Sequence, residues 1–211
     1  MLLLLEEQIT VIDAGWKGHG KTVLNTVSAL GRAPEEIGHI VSTHYHLDHI
    51  GGIAHIKKHS GGRVAAHETE IPYLQGIGLP NPMQNPIIGL LLAPVLALLR
   101  PEQFGVDLPL SDGSRLDILG GMDIVHSPGH TPGSISLNFP EQGLLVVGDA
   151  LEYRHGKLQL PSRYVSSNMQ HAKESVRKLA QLNFEVLCFS HFPPIKKNAA
   201  QLLSQFADSL D

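Results

Sequence analysis

The sequence predicts a layered α/β fold with an antiparallel, β-rich middle. Residues 1–75 alternate apolar β-type runs with segments of helical spacing. Residues 106–147 hold short β-type runs broken by Gly, Pro and Asp, and the chain closes on a strand and a helix. Four of the β-type runs lead straight into side chains able to bind a metal: His44 to His49, His130, Asp149 and His191. At 211 residues there is room for one substantial domain or two small ones. The chain is read as a single domain over 1–211 with a Pro/Gly-rich apolar insertion at about 76–104.

Leu2–Leu5 and Ile9–Ile12 are apolar runs joined by Glu6-Glu7-Gln8, which reads as a hairpin or two consecutive strands. They end at Asp13-Ala14-Gly15, where Asp13 is either a turn residue or a group that orients the metal loop from behind. Val23, Leu24, Val27 and Leu30 recur at helical spacing, so Thr22–Leu30 is a helix stopped by Gly31. Ile37–Ser42 is a buried strand that delivers Thr43-His44-Tyr45-His46-Leu47-Asp48-His49. A second helix follows over Ile50–His59, and Gly51-Gly52 at its start lets backbone approach the metal loop closely. Arg63–Ala66 is a strand and Glu68–Leu74 a short helix.

Residues 76–100 break this pattern. Gly, Pro and Asn dominate up to Pro86, and an apolar run then extends from Ile87 to Leu99 with a kink expected at Pro94. A bilayer span needs roughly 20 apolar residues, and this run is shorter. It is apolar all round rather than striped. That favours a lid with Ile87, Leu91, Leu92 and Leu96 toward the substrate, or a homodimer contact, over a helix packed on the core. A membrane-surface patch is a further reading.

Val106–Leu110, Arg115–Leu119 and Met122–His126 are strands, and Ile135–Phe139 with Leu144–Val147 forms a hairpin. Asn168–Leu182 is an amphipathic helix, Glu185–Phe189 a strand leading to Ser190-His191, and Asn198–Leu210 the closing helix.

Composition narrows the function. A net charge of −4 leaves no basic footprint for nucleic acid. Cys188 is the single cysteine, which excludes an intramolecular disulfide and a cysteine-based zinc ribbon. Met1–Leu5 is stopped by Glu6-Glu7 and has no basic flank, so no secretory signal is read and the protein is expected in the cytoplasm. The chain carries 13 histidines, and imidazole is the commonest transition-metal ligand. His19, His39, His55, His59, His67, His126, His155 and His171 lack ligand-type neighbours at useful spacing and are read as surface groups or as backing for the ligands.

Two divalent ions sharing one hydroxide need several neutral imidazoles, one or two carboxylates and a bridging ligand. His44 and His46 lie two apart on an extended loop, so they can point to one side, and His130 would give that side a third nitrogen. Asp149 has the two oxygens a bridge requires. Spacing permits two sites but does not divide the ligands between them.

The motifs resemble those of the metallo-β-lactamase superfamily: Val11-Ile12-Asp13-Ala14-Gly15, Thr43-His44-Tyr45-His46-Leu47-Asp48-His49-Ile50-Gly51-Gly52, Ser127-Pro128-Gly129-His130, Val147-Gly148-Asp149-Ala150 and Phe189-Ser190-His191, in family order. The resemblance implies a four-layer αββα sandwich. It implies one metal on His44, His46 and His130, a second on Asp48, His49 and His191, and Asp149 as the bridge. Zinc is the first expectation, with iron or manganese able to take such a set. Asp48 would also carry a proton to the leaving group, and Asp13 would buttress a ligand.

Members usually have a further strand or two before the Asp13 motif, so N-terminal strands are expected to be missing. The last motif is often Gly-His-Gly and is Ser190-His191-Phe192 here. The extra helical domain of glyoxalase II-like members is not expected after His191. The implied activity is hydrolysis of a small ester, thioester or lactone by a metal-bridging hydroxide. Two alternatives use the same fold: a mono-iron oxidoreductase resembling sulfur dioxygenases, and a phosphodiesterase or nuclease. The full second ligand set argues against the former, and the lack of basic loops against the latter.

Overall fold

Aliphatic runs near the start of the chain lack the polar alternation of a solvated strand, as buried parallel strands require. In the computed structural model, which describes residues 1–77, 87, 90, 91, 94, 95, 98 and 100–210, these runs form one five-stranded sheet. The described residues divide into two compact units, Met1–Leu110 and Ser111–Asp211.

In the first unit, β1 (Leu2–Leu5) and β2 (Ile9–Ile12) form the antiparallel pair expected, with Leu2 opposite Ile12. Next come β3 (Ile37–Val41), β4 (Arg63–His67) and β5 (Leu108–Leu110), each parallel to its neighbour, in the order β1-β2-β3-β4-β5. Helices α1 (His19–Ala29) and α3 (Ile53–Ser60) contribute Val23, Val27, Ile53 and Ile56 to a core shared with Val11, Ile40 and Val64. Between β3 and α3 lies the four-residue helix α2 (Leu47–Ile50). A 3-10 turn over Glu68–Glu70 leads into α4 (Ile71–Leu74).

Several boundaries depart from the sequence reading, β5 beginning at Leu108 rather than Val106 among them, and glycines explain two at helices. Helix α1 begins at His19 rather than Thr22, because Gly20, a weak helix former, sits inside it. A Cβ on Gly20 would lie 2.6 Å from the Gly52 carbonyl oxygen. The helix expected over Ile50–His59 is two helices, α2 and α3, separated at Gly51-Gly52. These glycines approach the 14–20 segment: a Cβ on Gly52 would stand 2.5 Å from the Ala14 oxygen and 2.6 Å from the Gly20 nitrogen.

The second unit has its own five-stranded sheet in the order β12-β9-β8-β7-β6. Here β6 (Arg115–Leu116), β7 (Met122–His126), β8 (Ile135–Phe139) and β9 (Leu144–Val146) run antiparallel, and β12 (Val186–Cys188) joins β9 in parallel. Helices α5 (Met169–Leu179) and α6 (Ala199–Asp208) bring Val176, Leu179 and Leu203 onto Leu145, Val147 and Leu187. Strand β6 is shorter than expected, since Leu119, Gly120 and Gly121 all have positive φ. A small hairpin, β10 (Glu152–Arg154) and β11 (Lys157–Gln159), was not foreseen. Its turn is His155-Gly156, both at positive φ, rather than the Asn-Gly pair that marks such turns in sequence.

Ile87, Leu90, Leu91, Val95 and Leu98 are helical and exposed. Two of the expected lid residues, Leu92 and Leu96, lie outside the described residues. Among the described residues no helix is long and apolar enough to cross a membrane.

Candidate metal centre

Strand β3 ends at Val41, and the chain runs through Ser42, a bend at Thr43 and an irregular stretch to His46 before turning into α2. His44 and His46 therefore stand on an open segment, while Asp48 and His49 stand on a helical turn. The ligand atoms of His44 and His46, of His44 and His49, and of Asp48 and His49 lie within 4.8 Å of each other. The His44 and His49 rings are 3.9 Å apart between centroids.

Asp13 holds this arrangement. It takes a positive φ of 56°, a conformation Asp tolerates better than most residues, and is only 2% exposed. Its Oδ1 accepts the Thr43 backbone N–H at 2.8 Å. Its Oδ2 accepts the Thr43 hydroxyl at 2.8 Å and lies 2.8 Å from His49 Nδ1. A carboxylate only accepts, so the His49 proton sits on Nδ1 and Nε2 keeps its lone pair. Thr43 has one hydroxyl proton, and Asp13 receives it. His44 Nδ1, 3.0 Å from the Thr43 oxygen, must then be the donor in that contact, which leaves His44 Nε2 basic as well. One buried carboxylate thus sets the tautomer of two imidazoles. Burial pushes the Tyr45 phenol far above its usual range, and the neighbouring Glu70 charge adds to the shift.

The second unit repeats the device. Gly129, at φ 137°, precedes His130, and a Cβ there would meet the Ala172 backbone of α5, with Cα at 2.5 Å. Only glycine allows that approach at that φ. His130 Nδ1 lies 3.2 Å from the Ser166 hydroxyl, whose own proton goes to the Ser162 carbonyl at 2.8 Å. His130 is therefore the donor through Nδ1, and Nε2 is left basic. Asp149 follows Gly148 at φ 56° in the turn after β9. Its Oδ2 lies 3.6 Å from His130 Nε2 and 3.3 Å from His191 Nε2. One carboxylate oxygen thus stands beside two imidazole nitrogens, the chemistry a bridging ligand needs. His191, beyond β12, is the exposed member, with 44% of its side chain accessible.

Each unit therefore gathers its own share of the expected residues: Asp13, His44, His46, Asp48 and His49 in the first, and His130, Asp149 and His191 in the second. Imidazoles with fixed tautomers and acidic oxygens suit divalent transition metals. The sequence reading did not single out Thr43 or Ser166. Thr43 was visible as the residue before His44, whereas nothing in sequence linked Ser166 to a histidine 36 positions away. His67, read as a surface or backing group, is buried and caps the Glu68–Glu70 turn by accepting from Thr69 N–H through Nδ1 at 3.3 Å. His55 and His59 stack on one face of α3, 4.2 Å between centroids.

The sequence profile described as "Metallo-beta-lactamase superfamily" matches residues 1–191. The chain is 30% identical over 217 residues to the "Probable metallo-hydrolase YflN" of Bacillus subtilis, covering 95% of this chain and 81% of that protein. It is 32% identical over 114 residues to a "Hydroxyacylglutathione hydrolase" of Ectopseudomonas mendocina. That match covers 53% of this chain and only 32% of the enzyme's length. Among solved structures, "TTHA1623 in a di-iron-bound form" superposes with a TM-score of 0.72 at 23% identity, covering 96% of this chain and 91% of that one. A likeness at that identity shows the fold, and the αββα class expected from the sequence is borne out.

Proposed function

The chain belongs to the metallo-beta-lactamase superfamily, and from that premise we propose that it is a dinuclear metal-dependent hydrolase of a small ester, thioester or lactone. The observation that carries this reading is Asp149 Oδ2, placed beside the Nε2 atoms of both His130 and His191. Relatives named hydroxyacylglutathione hydrolases support acyl transfer to water as the reaction class.

By the family's pattern His44, His46 and His130 would hold one ion, Asp48, His49 and His191 the other, and Asp149 would be the ligand they share. When bound, the ions would supply Lewis acidity and lower the pKa of a coordinated water to about 7. The chain's own residues do the rest. Asp13 and Thr43 keep protons on the Nδ1 atoms of His49 and His44, and Ser166 does so for His130. Asp48, whose side chain is 26% exposed, would take a proton from the attacking water and pass it to the leaving group. Ile87 and Leu91, both exposed, receive the acyl part of the substrate.

Elemental analysis of the purified protein tests the centre, followed by a panel of lactones, thioesters and phosphodiesters on the loaded form. Two zinc ions per chain with ester, thioester or lactone turnover is the expected result. One iron per chain would support the oxidoreductase alternative instead. His44→Ala and Asp149→Ala should each lose metal and turnover together, and wild-type turnover in either would overturn the assignment.

A further inference from the structure

Asp13 and Glu70 are the acidic residues that fall in the buried class among the described residues. The contacts of Asp13 explain its burial. Glu70, 1% exposed, has no place in the ligand set. We propose that Glu70 is a positioning residue for the metal loop, its carboxylate clamping the peptide of Tyr45 and so fixing His44 against His46. The proposal rests on the metal-centre reading above.

Glu70 Oε2 accepts the Tyr45 backbone N–H at 2.7 Å. Tyr45 lies between two expected ligands whose rings meet edge-on at 4.8 Å, so a rotation of its peptide would swing both. A carboxylate acceptor makes the stronger, charge-assisted kind of bond to a backbone donor. The clamp is itself braced. Glu70 arrives on the 3-10 turn directly after β4, and His67 caps that turn. The Tyr45 ring also rests against Tyr73 of α4, 4.8 Å between centroids, so residues 67–73 grip Tyr45 through backbone and side chain alike. Burying a carboxylate is costly without such bonds, and an uncharged residue would serve plain packing better.

The test compares wild type with Glu70→Gln, Glu70→Asp and Glu70→Ala, and with Glu68→Ala as an exposed control. Zinc affinity is measured by chelator competition and the fold by circular dichroism of the metal-free proteins. Glu70→Gln keeps the acceptor at the same reach and should bind zinc within about threefold of wild type. Glu70→Ala should weaken binding by about tenfold to a hundredfold, the usual effect of losing a group that orients a ligand, and Glu70→Asp should fall between. If the alanine variant does not fold, the aspartate variant decides. Unchanged affinity in Glu70→Asp and Glu70→Ala, or an equal loss in Glu70→Gln, overturns the clamp. A wild-type protein that takes up no zinc, iron or manganese overturns the metal centre itself, a different result.

Discussion

At the scale of single residues, control over proton position distinguishes this centre from a mere cluster of histidines. Asp13, Thr43 and Ser166 ensure that His49, His44 and His130 donate through Nδ1. Asp13→Asn would turn an amide NH₂ toward one or two of the three donors that converge on the carboxylate. It should weaken metal binding by about tenfold to a hundredfold, read by titration against a chelator. Thr43→Val removes the acceptor for His44 Nδ1–H and should act in the same direction. The candidate ligands were legible because four β-type runs led into them. Asp13 was legible only as a choice between turn and backing group, and the structure gives it both roles, since the positive φ turns the chain while both oxygens accept. Ser166 was not legible, because a hydroxyl that meets a histidine through folding leaves no local pattern.

At the scale of elements, backbone clearance governs. Gly52→Ala must displace the Ala14 carbonyl or the Gly20 nitrogen, neither at the end of a flexible side chain. The substitution should cost about 1–3 kcal/mol in chemical denaturation, the range for overpacking a tight site. Gly105→Ala, with nothing within 4 Å of the new methyl, should be near neutral. Asp107 staples α3 to β4, its Oδ2 accepting from Lys57 Nζ at 2.6 Å and from Val64 N–H at 2.8 Å. The Lys57 bond, with help from Val64, holds its carboxyl below the ordinary value of 3.8. A lowered folded-state pKa stabilises the fold above the unfolded value, and that contribution is lost as pH falls through the folded one. Asp107→Asn should therefore cost about 0.5 kcal/mol at neutral pH, small because the pair is partly exposed. In urea melts the gap to wild type should close as pH drops below 3.8. Periodicity located nearly every element, but helix ends slipped where glycine sits inside a helix at a close contact, as in α1, or parts two helices, as at Gly51-Gly52.

At the scale of the whole molecule, the superfamily was readable from motif order, whereas the two-unit division was not, because the β-type runs continue through residue 110 into the next. The exposed aliphatic residues at 87, 90, 91, 95 and 98 make a prediction of this scale. Leu91→Gln should raise KM for long-chain acyl substrates several-fold and leave short-chain ones unchanged, measured by steady-state kinetics on a chain-length series. A final consequence concerns the Asp13–Thr43 network. Its hydrogen bonds join residues 13, 43, 44 and 49 inside the first unit through the protein's own donors and acceptors. Structural zinc sites often spend binding energy on folding an otherwise unstructured chain. Here protein–protein hydrogen bonds contribute to that order. Chelation should leave a folded apoprotein with native circular dichroism. Metal should then raise its melting temperature only by mass action, growing with the logarithm of free metal above the dissociation constant.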